Sequence, residues 1–76
     1  MSIKVRYFAS LRDKIGRDQD DLAADGIKTA VDVWSRVCSE AFPANTLVAI
    51  NQEYAKPADA VADGDEVAFF PPVTGG

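Results

Sequence analysis

The residues best suited to chemistry are gathered at one end of the sequence, which closes Phe69-Phe70-Pro71-Pro72-Val73-Thr74-Gly75-Gly76. Two terminal glycines carry no side chain, so a carboxylate on Gly76 could pass through a narrow channel, and the tip can take backbone conformations closed to other residues. Pro71 and Pro72 cannot donate to a strand ladder and hold the exit extended, at about 3.1 Å per residue. The stretch from Pro71 to Gly76 could reach at most ~20 Å into a partner. A carboxylate is a poor electrophile and must first be activated, typically as an acyl-adenylate. A thiol or persulfide then displaces AMP and leaves a thioester or thiocarboxylate. The sequence holds no machinery for that activation, so a separate ATP-using enzyme is implied and the chain is not expected to catalyse a reaction alone. A Gly-Gly end also occurs as an inert tail; the sequence of strand, double proline and Gly-Gly favours the carrier reading.

Other chemistry-bearing residues are sparse. There is no histidine, which removes the commonest general base and metal ligand. The single cysteine, Cys38, cannot form an internal disulfide, which fits a reducing cytoplasm. Cys38 falls on an apolar helical stripe, where a thiol is most simply a small core residue rather than a persulfide carrier. Asp18, Asp20 and Asp21 lack the ligand spacing and glycine of a calcium loop, so no metal site is expected, and they read as a charged strand edge. Phe8 and Phe70 fall opposite the apolar positions of their strands and are candidate interface anchors. Lys4, Arg6 and Arg12 form a candidate basic patch near the outer face of the sheet.

Size and charge narrow the functional classes. A chain of 76 residues is one small domain, with little room for a deep catalytic pocket. Its apolar fraction of 47% and charged fraction of 26% are ordinary for a folded domain. A net charge of −4 disfavours nucleic acid as a partner. No apolar run approaches the length of a membrane span, and the start Met1-Ser2-Ile3-Lys4 does not read as a signal peptide.

Positioning elements follow from periodicity. Ile3 to Phe8 alternates, with Ile3, Val5 and Tyr7 on one face and Lys4, Arg6 and Phe8 on the other. Ala9 to Gly16 suits one short helical turn closed by Gly16. Arg17 to Ala24 reads as an acidic edge strand. Thr29 and Asp32 have the spacing of a capping box. From there Ala30, Trp34, Val37, Cys38 and Ala41 define an amphipathic helix over 30–41, with Pro43 disfavouring helix at Phe42. Leu47 to Ile50 is a short strand, Asn51-Gln52-Glu53 a turn, and Tyr54 to Lys56 a brief return strand. Glu66 to Phe70 is the last strand, with Val67 and Phe69 on one face and Ala68 and Phe70 on the other. One main helix must cover one face of a four- to five-stranded sheet, which gives an α+β two-layer domain over 1–76 with 71–76 as an extended tail. The first and last strands are expected side by side in the middle.

The ending Asp63-Gly64-Asp65-Glu66-Val67-Ala68-Phe69-Phe70-Pro71-Pro72-Val73-Thr74-Gly75-Gly76 closely resembles that of the small subunits of molybdopterin synthase, a family of ubiquitin-like (β-grasp) sulfur carriers in molybdenum cofactor biosynthesis. Val5-Arg6-Tyr7-Phe8-Ala9 with Leu11-Arg12, and Val48-Ala49-Ile50-Asn51-Gln52-Glu53-Tyr54, are similar to that family's opening and its middle strand and turn. The resemblance implies a β-grasp fold with a mixed sheet. It implies that Gly76, beside Gly75, is adenylated by a ubiquitin-activating-type enzyme and converted to a thiocarboxylate with sulfur from a donor protein. The large synthase subunit would then receive the tail, with Phe8, Phe70, Pro71, Pro72, Val73 and Thr74 contacting the partner. Sulfur would pass to a cyclic pyranopterin phosphate, two loaded carriers serving each dithiolene in a heterotetramer. No cofactor is expected on this chain; ATP is used by the activating partner.

Three other readings remain open at this point. They are a related β-grasp carrier for thiamine or tRNA thiolation, a ubiquitin-like modifier joined to lysines, and an interaction domain with an inert tail. The Phe69-Phe70-Pro71-Pro72 approach to Gly-Gly separates the first reading from the thiamine and tRNA carriers.

Overall fold

The computed structural model describes residues 2–43 and 45–72. Alternation in the first strand does what it predicts. In β1 (Ile3–Tyr7), Ile3, Val5 and Tyr7 are buried and Lys4 and Arg6 are exposed. Helix α1 (Ala9–Ile15) follows at once, then β2 (Gln19–Leu22), α2 (Ala30–Val37), β3 (Leu47–Ile50), β4 (Glu53–Ala55) and β5 (Glu66–Phe70). The five strands form one sheet in the order β2-β1-β5-β3-β4. β1 and β5 run parallel, and every other neighbouring pair is antiparallel. This is the mixed β-grasp arrangement, with β5 in the centre and β1 beside it.

The core lies between one sheet face and the helices. Ile3, Val5, Tyr7, Val48, Val67 and Phe69 from the sheet meet Leu11 of α1 and Ala30, Val33 and Trp34 of α2. Phe69 is the hub. Its ring lies 5.3 Å from Trp34 and 6.0 Å from Phe42, both inclined, and 6.4 Å from the stacked ring of Tyr7. Aromatic pairs at such separations add to the gain from burial alone.

The start of α2 and the end of α1 have local causes. The hydroxyl of Thr29 accepts from the Asp32 N–H (3.3 Å), and the Asp32 carboxylate accepts from the Thr29 N–H (3.1 Å), completing the capping box. Gly16 closes α1 in the left-handed region, φ 86°. Five elements differ from expectation in their boundaries, among them β2, which spans Gln19–Leu22 rather than Arg17 to Ala24. The region 9–16 forms nearly two turns rather than one, so a second helix joins the core through Leu11. β1 ends at Tyr7, because Ala9 turns sharply into α1 with φ 53° and Phe8 becomes the residue before the helix. α2 ends at Val37 rather than Ala41. Cys38 is extended, and the indole N–H of Trp34 donates to the Glu40 carbonyl at 3.0 Å, which holds the chain folded back. The β3–β4 connection is the two-residue turn Asn51-Gln52, both at positive φ, so β4 starts at Glu53.

Candidate functional site

β5 fixes the base of the tail. Its register alternates inward and outward, so Phe69 is locked in the core while Phe70, the next residue, lies on the sheet face that bears no helix. Pro71 is half-buried and Pro72 exposed. The expected tail contacts Val73 and Thr74 and the expected reactive end Gly75 and Gly76 lie outside the described residues.

Cross-strand register assembles the surroundings of Phe70. Leu47 pairs with Phe70, Ala49 pairs with both Ala68 and Tyr54, and Arg6 pairs with Ala68. Small alanines in the middle keep this face low, and aromatic rings stand at its margins. Tyr54 is 78% exposed, and its ring lies 5.8 Å from that of Phe70. Phe8 is 43% exposed, and its N–H donates to the Phe69 carbonyl at 3.1 Å, continuing the β1–β5 ladder beyond Tyr7. The structure therefore brings Phe8, Phe70, Pro71 and Pro72 to the same end of the central strand pair. Exposed rings bordering an apolar sheet face are the pattern of a protein-docking surface.

Two polar clusters hold the frame. On the core side, the Tyr7 hydroxyl donates to Asp20 at 2.8 Å, and the Arg17 side chain makes contacts of 2.8–3.0 Å to the same carboxylate. Burial first, then the hydrogen bond to Asp20, pushes the Tyr7 hydroxyl pKa upward, so it stays a donor. The Arg17 hydrogen bonds hold the Asp20 carboxyl below its ordinary range. Asp20 is thus engaged in pinning β2 to β1. At the start of β5, the Asn51 side chain donates to Asp65 at 3.0 Å and accepts from the Glu66 N–H at 3.0 Å. That bond lowers the Asp65 pKa, helped by the Ala62 N–H.

Of the proposed basic patch, Lys4 and Arg6 are on the helix-free face, with Arg6 over the Phe8 ring at 5.7 Å. Arg12 belongs to α1 and lines a separate depression with Asp13, Gly16, Arg17 and Asp18. Cys38 is partly buried against the core, and Trp34 is a core residue. Tyr54 is the site residue that sequence reasoning missed. The signal was the two-residue turn, which puts Tyr54 opposite Ala49 and so on the Phe70 face. No helix among the described residues is long and apolar enough to cross a membrane.

Residues 5–76 match the model of the ThiS family. The chain is 37% identical to the molybdopterin synthase sulfur carrier subunit of Escherichia coli, over 97% of this chain and 99% of that protein. It is 41% identical to the protein of the same name from Chlamydomonas reinhardtii, over the full length of both. Among solved structures it is similar to SAMP1 from Haloferax volcanii, at 29% identity and a TM-score of 0.79, with both chains covered completely.

Proposed function

The chain belongs to the ThiS family, and from that premise we propose that it is the sulfur carrier subunit of a molybdopterin synthase. The observation that carries this reading is the 37–41% identity, over essentially the whole chain, to proteins bearing that name. The site geometry supports it, because the tail leaves the central strand beside an apolar face suited to a protein partner.

In this reading the Gly76 carboxylate attacks the α-phosphorus of ATP within a ubiquitin-activating-type partner, and pyrophosphate leaves. The outer sulfur of a donor protein's persulfide then attacks the acyl carbon, a carbon–sulfur bond forms and AMP departs, leaving an acyl disulfide to the donor. A second thiol attacks the donor's sulfur and breaks the sulfur–sulfur bond, so the donor side ends as a disulfide and Gly76 carries a thiocarboxylate. The helix-free face docks on the large synthase subunit and the loaded tail enters it. Sulfur passes to the cyclic pyranopterin phosphate, and two loaded carriers complete one dithiolene. This chain positions rather than catalyses. Phe69 anchors the base of the tail, Pro71 and Pro72 aim it, and Gly75 and Gly76 fit a narrow channel. With a net charge of −4, the chain leaves phosphate binding to basic residues of the large subunit. A lone cysteine and no disulfide fit a cytoplasmic setting.

Reconstitution tests the reading. The chain is combined with its large subunit, adenylating enzyme, sulfur donor, ATP and cyclic pyranopterin phosphate, and dithiolene product is measured. Product with the full chain and none with a Gly76-deleted chain is expected. Equal product from both, or lysine conjugates in place of product, would overturn it.

A further inference from the structure

Most of the described residues whose φ lies in the left-handed region have an evident reason to be there. Gly16, Gly26 and Gly64 carry no Cβ, Asn45 and Asn51 are of the type that tolerates this region, and Gln52 sits in a two-residue hairpin turn that demands it. Ala9, at φ 53°, has none of these features. It is exposed, and its methyl group offers little to pack. A left-handed alanine is strained, and such strain persists only where the surrounding structure imposes it. What imposes it is the double use of Phe8. The Phe8 N–H donates to the Phe69 carbonyl at 3.1 Å, as a strand residue would. The Phe8 carbonyl accepts from the N–H groups of Leu11, at 3.1 Å, and Arg12, at 3.4 Å, as the residue before a helix would. Phe8 itself is extended, with φ −125° and ψ 151°. The chain therefore has to pass from strand to helix within a single residue, and Ala9 makes that turn. The consequence falls on an exposed ring. Phe8 stands beside the base of the tail, with the Arg6 guanidinium 5.7 Å from its centroid.

We infer that Ala9 is a positioning residue: its left-handed turn fixes the Phe8 ring beside the tail base, and docking of the large subunit depends on that fixed ring. This rests on the function proposed above. A ring ordered before docking loses less freedom when the partner covers it. The choice of alanine matters because alanine has only one narrow well at positive φ, whereas glycine ranges over that whole half of the map. At the same turn an alanine leaves Phe8 less freedom than a glycine does, and the strain is what this restriction costs. Were the turn of structural use only, glycine would relieve the strain and leave docking as it is.

Calorimetric titration of the large subunit tests this with wild type, Ala9→Gly, Phe8→Ala and the double variant, each also melted thermally. In Ala9→Gly the relief of strain offsets the greater freedom of the unfolded chain, so it is expected to melt within a few degrees of wild type. It is nevertheless expected to bind ~5-fold more weakly. In the Phe8→Ala background the same glycine substitution is expected to change affinity by less than about twofold, because the ring it positions is gone. Amide hydrogen exchange at Phe8 in the free chain reads the freedom without any partner, and is expected to be faster in Ala9→Gly. Affinity of Ala9→Gly equal to that of wild type, or unchanged exchange at Phe8, would overturn the inference alone. An equal loss of affinity with and without the Phe8 ring would also overturn it, since the substitution would then act by another route. Absence of binding by wild type would overturn the functional reading and the inference with it.

Discussion

Tyr54→Ala separates docking from folding, and its size can be worked from exposure. Tyr54 is 78% exposed, so folding hides only a small part of it. An aromatic side chain offers ~150–250 Å² of surface to burial, so docking over the exposed portion would hide ~120–200 Å². At ~25 cal/mol per Å² that is ~3–5 kcal/mol before the costs of association. The expected loss of binding to the large subunit is ~2–4 kcal/mol, roughly 30- to 1,000-fold in Kd. The folded state loses mainly the Tyr54–Phe70 ring contact at 5.8 Å, about 1 kcal/mol. Calorimetric titration reads the first quantity, and urea denaturation with an unchanged m-value reads the second. A Kd within threefold of wild type, or a stability loss above ~3 kcal/mol, the range of a buried aromatic, would refute the assignment of Tyr54 to a docking face.

Phe69→Ala should do the reverse, costing ~3–5 kcal/mol of stability, because Tyr7, Trp34 and Phe42 all pack on that ring; a chemical denaturation midpoint near wild type would contradict the hub assignment. Gln52→Gly should stabilise the protein by roughly 1 kcal/mol in thermal denaturation, since Gln52 holds φ 69° in a two-residue hairpin turn that favours glycine. Thr29→Ala should cost about 1 kcal/mol through loss of the α2 cap, read by urea titration. Asp20, Asp32 and Asp65 all have folded-state pKa values held below their ordinary range. Their contribution is therefore complete above the unfolded carboxylate value, ~3.9, and is lost as pH falls through the folded values. Melting temperature measured from pH 6 to pH 2 should fall across that window, with a shallower acid limb in Asp20→Asn.

Much of this architecture is written in short-range pattern. The alternation of Ile3, Val5 and Tyr7 announces a strand with one buried face, and Thr29 with Asp32 announces the start of α2. The end of α2 is not local. Cys38, Phe42 and Ala41 keep helical spacing, yet the Trp34 indole takes the Glu40 carbonyl and Phe42 packs edge-on against Trp34 at 5.6 Å, and this tertiary contact overrides the pattern. For α1 the sequence shows only a turn, because Leu11 and Ile15 alone mark its inner side. Phe8 and Phe70 were legible as outward residues, although Phe70 is partly shielded by Tyr54. Tyr54 was not legible, because a three-residue strand has too few positions to reveal its facing side. Its side follows from the Asn51-Gln52 turn and the register that this turn sets.

The central claim is that Gly76 carries sulfur, and high-resolution tandem mass spectrometry of the C-terminal peptide tests it most directly. The chain is incubated with ATP, the adenylating enzyme and the sulfur donor from its own source, and fragments are used to separate changes at the tail from oxidation of Met1 or Cys38. Exchange of one oxygen for sulfur at Gly76 is expected, absent without ATP and absent from a Gly76-deleted chain. An unmodified Gly76 under conditions that load a related carrier, or sulfur found on Cys38 instead, would contradict it.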